Sequence, residues 1–171
     1  MRPLPEKERE AVARMYETYK QSVYRLCLIY LKDRSLAEDA MQDTFLKALR
    51  AYPGFRGDCA EKTWLVRIGI NVCRDYQRTA WLRHNRKGVS LDDIVDTLPA
   101  EPAYRADADV VQAVAHLPQK LKEVILTRYY ERLTLEETAA ALGLSLSAVN
   151  TRIRKAKTLL KKELAEVYFD E

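Results

Sequence analysis

Residues 133 to 162 read LTLEETAAALGLSLSAVNTRIRKAKTLLKK. Thr134 and Glu137 stand three apart ahead of Leu135, Thr138, Ala139 and Leu142, the pattern of a capping box opening a short amphipathic helix. Gly143 then supplies a residue that turns the chain sharply. Ser145 is placed to cap a second helix, whose apolar positions are Leu146, Val149, Ile153, Ala156 and Leu160. A short capped helix, a glycine turn and a second helix make a helix-turn-helix. The other faces of the second helix carry Asn150, Thr151, Arg152, Arg154, Lys155, Lys157, Lys161 and Lys162, and no acidic residue interrupts the run before Glu163. In a recognition helix the first turns reach base edges, while flanking cations neutralise phosphates. Asn150, Thr151 and Arg154 are therefore candidates for base reading. Lys157 and Lys161 are candidates for backbone contact. The bland alternative is a solvated basic surface helix.

Upstream of this unit, Val110, Val111, Val114 and Leu117 begin a helical pattern, Pro118 punctuates it, and Leu121, Val124, Ile125 and Tyr129 continue it. Before that the character changes. From Gly88 to Asp109 the chain gathers Asp92, Asp93, Asp96, Glu101, Asp107 and Asp109, with Pro99 and Pro102 interrupting any helix. Such a stretch reads as a linker between domains. The expected organisation is a first domain over 1–87, a linker over 88–109 and a second domain over 110–171.

The first half is also helical in pattern. Val12, Met15, Tyr16, Tyr19, Val23, Leu26 and Tyr30 form one apolar stripe that breaks at Lys32-Asp33-Arg34. Ser35 with Glu38 suggests a capping box for a second helix burying Leu36, Ala40, Met41, Thr44, Phe45, Ala48 and Leu49, which Pro53-Gly54 ends. Asp58 with Glu61 suggests a third start, for a helix through about Thr79 with Trp64, Leu65, Ile68 and Val72 inward. Three helices with short connections make a bundle. Between Phe55 and Lys87, the cations Lys62, Arg67, Arg74, Arg78, Arg83, Arg86 and Lys87 interleave with Trp64, Tyr76 and Trp81. Cations tracking a backbone, with flat rings for unpaired bases, suit single-stranded DNA. Trp64 lies on the apolar stripe and reads as core. Tyr76 and Trp81 are open between packing and stacking. On the second helix, Glu38, Asp39, Gln42 and Asp43 precede Lys47 and Arg50, an order that also complements the helix dipole.

Composition bounds the rest. The 171 residues are 47% hydrophobic, with five glycines and a net charge of +4. The fold class expected is all-α: two small helical domains joined by an acidic flexible linker, the second a helix-turn-helix. Cys27, Cys59 and Cys73 are far apart and form no CxxC pair, so no metal site and no cofactor are expected, and the thiols read as reduced. No signal-like start and no run approaching about 18 apolar residues is present, so a cytoplasmic protein with no membrane insertion is expected. His84 and His116 lack nucleophilic or acidic partners at useful spacing, and no phosphate-binding glycine loop occurs, which argues against an enzyme.

Together these segments resemble the extracytoplasmic-function sigma factors of the sigma-70 family. Ala37 to Phe45 is similar to that family's core-polymerase-binding helix. Phe55-Arg56-Gly57 with Lys62 to Ile68 and Asn71 is similar to its minus-10 segment. Leu135 to Ser145 with Ala148 to Ala156 is similar to its minus-35 helix-turn-helix. The resemblance implies core RNA polymerase (clamp and flap) and promoter DNA as partners, and admits an anti-sigma factor as a further one. It implies a clamp-binding role for Asp39, Gln42, Asp43, Phe45 and Lys47, with Phe45 itself in the core. It implies minus-10 contacts from Phe55, Arg56, Lys62, Arg67, Asn71, Arg74 and Arg78. Minus-35 contacts are implied for Arg128, Ser147, Asn150, Thr151, Arg152, Arg154 and Lys155. Three departures stand out: Gly69 where the family usually has Ala, Asn150 where Lys or Arg is frequent, and Arg132 in place of a usual Gly. The competing reading is a helix-turn-helix regulator that binds operator DNA as a dimer, independently of polymerase. It explains the second half of the chain and leaves the first unexplained.

Overall fold

The computed structural model describes residues 3–82 and 108–169, with side chains described for 3–79 and 108–165. The expected linker therefore lies almost wholly outside the described residues, as do His84 and the side chain of Trp81. Among the described residues there are helices and turns and no strand. Helices α1 (Glu6–Leu31), α2 (Arg34–Ala51) and α3 (Glu61–Leu82) pack on one another as a first unit. Helices α4 (Ala108–Ala115), α5 (Gln119–Ile125), α6 (Leu135–Leu142) and α7 (Leu146–Phe169) form a second unit, with α4, α5 and α6 all resting on α7.

The helix boundaries follow local chemistry. Lys32 adopts a left-handed conformation (φ 55°) and its N–H bonds back to Leu28, which closes α1. Asp33 then caps α2, its side chain accepting from Leu36 N at 2.9 Å. The expected Ser35–Glu38 box is thus displaced: an aspartate two residues earlier takes the cap and Ser35 falls inside the first turn. Likewise α3 opens at Glu61, with Ala60 O accepting from Trp64 N, so Asp58 lies outside its cap position. The Thr134–Glu137 box forms with both arms, at 3.1 and 2.7 Å. Gly143 closes α6 at φ 65°, where a Cβ would crowd the next carbonyl. Ser145 Oγ accepts from Ala148 N at 3.1 Å to start α7.

Beyond Ile125 the helix widens into a π turn over Leu126–Tyr130, with Glu131 N bonding to Leu126 O. Arg132 follows in the left-handed region (φ 56°), which gives the physical reason a glycine suits this position.

The two units are not separate bodies in this arrangement. Helix α6 packs on α3, and α4 packs on α1. Buried apolar side chains from Met15 to Ala156 form one cluster through both units. This explains why α1 and α3 are buried more widely than one stripe predicts. Cys27, Leu28 and Ile29 are as buried as Leu26, and Val66, Ile70 and Cys73 join Leu65 and Val72. Trp64 and Ile68, expected at the centre, are only partly buried. Tyr16, expected inward, reaches the surface.

Gly69 sits mid-helix in α3. A Cβ there would meet Leu26 Cδ2 and Thr44 Cγ2 at 3.7 Å, ordinary van der Waals contact. Alanine therefore fits without displacement, while glycine in a helix interior costs about 0.5–1 kcal/mol. Gly69→Ala is expected to stabilise the chain by that amount, read as a rise in the thermal midpoint. A lowered midpoint would mean that α3 must approach α1 and α2 more closely than these contacts indicate.

Candidate nucleic-acid interface

The second unit presents α7 as a helix with two distinct faces. Val149, Ile153 and Ala156 are buried against the helices beneath. Asn150, Thr151, Arg154 and Lys155 are exposed, Ser147 is exposed at the start, and Arg152 is half-buried at the side. The cap at Ser145 fixes where the first turn lies, and the buried Val149–Ile153–Ala156 row fixes which way the polar residues face. Asn150 and Arg154, four apart, share one stripe. Arg128 stands differently: its Nη1 donates to Leu133 O at 3.1 Å and its guanidinium lies over the Tyr129 ring. That bond ties the π turn to the segment entering α6. Lys157 reaches the same ring at 5.4 Å. His116 Nδ1 lies 3.9 Å from Glu163 Oε1, linking α4 to α7.

In the first unit, α3 brings Arg67, Asn71, Arg74 and Arg78 onto one side by their spacing of four, three and four. Arg67, Asn71 and Arg78 are exposed and Arg74 is partly so. Arg78 pairs with Asp75 at 2.6 Å. Phe55 stacks on Trp64 with ring centroids 4.8 Å apart, and Tyr52 meets Trp64 edge-on, so the three rings brace the loop that carries Arg56. Gly57 turns that loop at φ 74°. Tyr76, open between packing and stacking, donates its hydroxyl to Asp43, and burial together with that carboxylate raises its pKa well above the usual phenol range.

On α2, Asp39 and Gln42 are exposed. Asp43 is drawn inward by Tyr76, and Lys47 lies 3.6 Å from Asp75. Phe45 is buried, edge-on to Tyr16 at 4.9 Å, so that only an edge of it reaches the surface. An apolar groove flanks Gln42 instead, lined by Val12, Tyr16, Phe45, Leu46 and Leu49. Leu46, 50% exposed, is a surface feature that helical periodicity did not single out.

The sequence also gave no sign of what joins α3 to the second unit. Glu123 of α5 is 1% exposed. It accepts from Arg74 Nε at 2.8 Å and Nη2 at 2.7 Å, from the Tyr30 hydroxyl at 2.7 Å and from Gln119 at 3.4 Å. Burial pushes its carboxyl pKa up, but these donors more than offset burial and hold it below the usual range. Glu131, also buried, accepts from Ser22 and lies 3.8 Å from Lys62 Nζ. There burial wins, and the pKa is raised. Lys122 donates to Tyr30 O at 3.3 Å, at the C-terminal end of α1 where carbonyls lack helical partners.

Known proteins show the same order of parts. The family description "Sigma-70 region 2" matches residues 15–95, and "Sigma-70, region 4" matches residues 107–160. The ECF RNA polymerase sigma factor SigX of Bacillus subtilis is 30% identical over 167 residues, covering 89% of this chain and 86% of that protein.

The chain belongs to the extracytoplasmic-function sigma factors of the sigma-70 family.

This sigma factor is also 30% identical to the RNA polymerase sigma-H factor of Pseudomonas aeruginosa, over 85% of its own length and 82% of that protein's. Among solved structures it resembles CnrH in complex with the cytosolic domain of CnrY, with a TM-score of 0.68, 26% identity and coverage of 91% and 88%. The fold matches that of RpoE from Bartonella quintana, in complex with the anti-sigma factor NepR, at a TM-score of 0.71 and 20% identity, over 89% and 95%. The region 2 match lies on α1 to α3 and the region 4 match on α4 to α7. Two ordered matches of this kind leave the independent operator-binding regulator without support. Among the described residues no helix is long and apolar enough to cross a membrane.

Proposed function

We propose that this sigma factor binds core RNA polymerase through the exposed face of α2, meets the minus-10 strand with α3 and its preceding loop, and reads minus-35 with α7. It acts in this reading as a cytoplasmic specificity subunit with no chemistry of its own. The observation that carries the proposal is the placement of three polar faces on α2, α3 and α7, within the two regions that match the family in order. Asp39 and Gln42 supply the polymerase face, with Leu46 beside them as an apolar anchor. Asp43, Phe45 and Lys47 hold α2 to its neighbours. Phe55, Arg56, Lys62, Arg67, Asn71, Arg74 and Arg78 belong to the minus-10 surface, where cations follow phosphates and rings lie beside unpaired bases. Ser147, Asn150, Thr151, Arg152, Arg154 and Lys155 belong to the minus-35 surface, with Arg128 acting from beneath it. CnrH with CnrY, and RpoE with NepR, make an anti-sigma partner part of the same reading.

Run-off transcription with purified core polymerase on genomic templates tests it. Discrete transcripts that require this chain are expected, and their start sites give the promoter elements. Templates transcribed equally with and without the chain would end the proposal. A sharper test of the polymerase face is Asp39→Lys. Asp39 is exposed and its charge can be reversed without disturbing the Tyr76–Asp43 bond. Like-charge juxtaposition at an interface is costly, so binding to core is expected to weaken at least about tenfold, or about 1.4 kcal/mol. Circular dichroism should be unchanged. Undiminished binding would remove this face of α2 from the interface.

A further inference from the structure

Both carboxylates that the second unit buries at the seam are set against cations of the first unit. Glu123 faces Arg74, and Glu131 faces Lys62. The two acids are eight residues apart, and in a regular α-helix such residues are offset by about 80°. The π turn between them widens the helix and takes up that offset, so both reach the first unit. The Arg74 contact is bidentate: two guanidinium N–H groups meet two carboxylate oxygens. A guanidinium offers the same two-pronged geometry to a phosphate.

We infer that the packed arrangement is a self-masked state, in which carboxylates of the second unit occupy cations that the minus-10 strand would otherwise engage, with Glu123 as the latch. The inference rests on the assignment of Arg74 and Lys62 to the minus-10 surface. Glu123 is the stronger of the two acids in this role. Its carboxylate is fully engaged, by Arg74, Tyr30 and Gln119, whereas Lys62 stands at 3.8 Å from Glu131. Tyr30 reinforces the latch from the first unit by donating its hydroxyl to the same carboxylate. The masking is one-sided. Asn150, Thr151, Arg154 and Lys155 on α7 stay exposed in the same arrangement. The packed chain therefore keeps its minus-35 face available while withholding part of its minus-10 face. Opening exchanges a carboxylate for a phosphate on Arg74, so the cation finds a partner in both states.

The test uses the full chain with spin labels at Glu10 and Lys162, both exposed and on different units, and with Cys59 replaced by Ser. Glu123→Lys sets a further cation against Arg74 and Lys122. Glu17→Lys makes the same change of charge on the open surface of α1 and serves as the control. The wild-type chain is expected to give one narrow distance distribution, and Glu123→Lys a broader one displaced from it. Affinity for a single-stranded minus-10 oligonucleotide is expected to rise at least about tenfold above that of Glu17→Lys, the gain when a competent fraction of about one in ten becomes dominant. Affinity for minus-35 duplex should be equal in the two variants. Glu123→Gln, which keeps an acceptor oxygen and loses the charge, should fall between wild type and Glu123→Lys. A broad distribution in the wild-type chain, or an unchanged one in Glu123→Lys, would overturn the latch. A distance that opens with no gain over Glu17→Lys would overturn the masking, and with it the assignment of Arg74 and Lys62. Failure of the sigma-factor reading itself appears elsewhere, as absence of run-off transcripts from the wild-type chain.

Discussion

Arg154→Ala is expected to change which minus-35 bases a promoter library selects, and Asn150→Ala to do so at a neighbouring position. Both side chains stand exposed on one stripe of α7, in its second and third turns, with Val149 and Ile153 buried beneath them to fix the helix orientation. Asparagine pairs with adenine through both amide groups, and arginine with guanine through two nitrogens. A bidentate contact of this type discriminates by about 1–3 kcal/mol, roughly five- to a hundredfold or more. Lys161 lies two turns further along and is exposed. A lysine on a phosphate carries no sequence information, so Lys161→Ala is expected to weaken transcription from all promoters about equally and to reduce the salt slope by about one. Lys157 belongs to the same class, with part of its charge directed at the Tyr129 ring. If Arg154→Ala leaves every minus-35 preference untouched, that residue does not read bases. If all three variants act alike, the face is only a basic surface.

A second large effect is expected from Lys122→Met. Lys122 is 4% exposed, and burial first, then the nearby Lys32 ammonium, lowers its pKa from 10.5 to about 8. Glu123 and the Cys73 thiol act in the opposite direction but do not cancel burial. The displacement corresponds to about 3 kcal/mol of penalty on the charged amine. Methionine fills similar volume without charge, at the loss of one hydrogen bond to Tyr30 O worth about 1 kcal/mol. The net gain near pH 7 is about 2 kcal/mol, a rise of about 4–8 °C in thermal midpoint for a chain of this length. The pH dependence identifies the cause. Below about pH 8 the lysine is charged in both packed and unfolded chains, and its full penalty applies. Above that pH the packed chain loses the proton while the unfolded chain holds it to about 10.4. Wild-type stability therefore rises with pH across this window, and the variant lacks that rise. The gap between them should narrow from pH 8 to 10. A gap that stays constant would show that the buried ammonium is not what costs stability.

Much of the fold was legible because its signals are local. The Thr134–Glu137 box, Gly143 and Ser145 specify the helix-turn-helix through bonds that span three or four residues, and each forms as read. Other starts were misread for an equally local reason. Asp33 and Ser35 are both competent caps, and the left-handed turn at Lys32 gives the role to Asp33. Apolar periodicity failed where helices are buried on two sides. In α1 the run Leu26 to Tyr30 is inward throughout, because α2 and α3 cover one side and the second unit the other.

The candidate surfaces divide in the same way. Asn150, Thr151, Arg154 and Lys155 were legible because a cap and an apolar stripe determine which way a helical residue faces. Asp43, Tyr76 and Arg128 are spent on partners far along the chain or across a turn, which residue type alone does not reveal.

By itself, then, the sequence determined the helices, the helix-turn-helix and the order of the two family regions, since capping, periodicity and turn chemistry act over a few residues. Only the tertiary structure decided how the two units meet. Glu123 and Arg74 are 49 residues apart and Tyr30 and Glu123 are 93 apart, so nothing in their local pattern couples them. A glutamate between Lys122 and Val124 reads as a surface charge until the fold closes over it. Its burial is tolerated because Arg74 and Tyr30 arrive from the other unit to satisfy it, and that meeting is a property of packing alone.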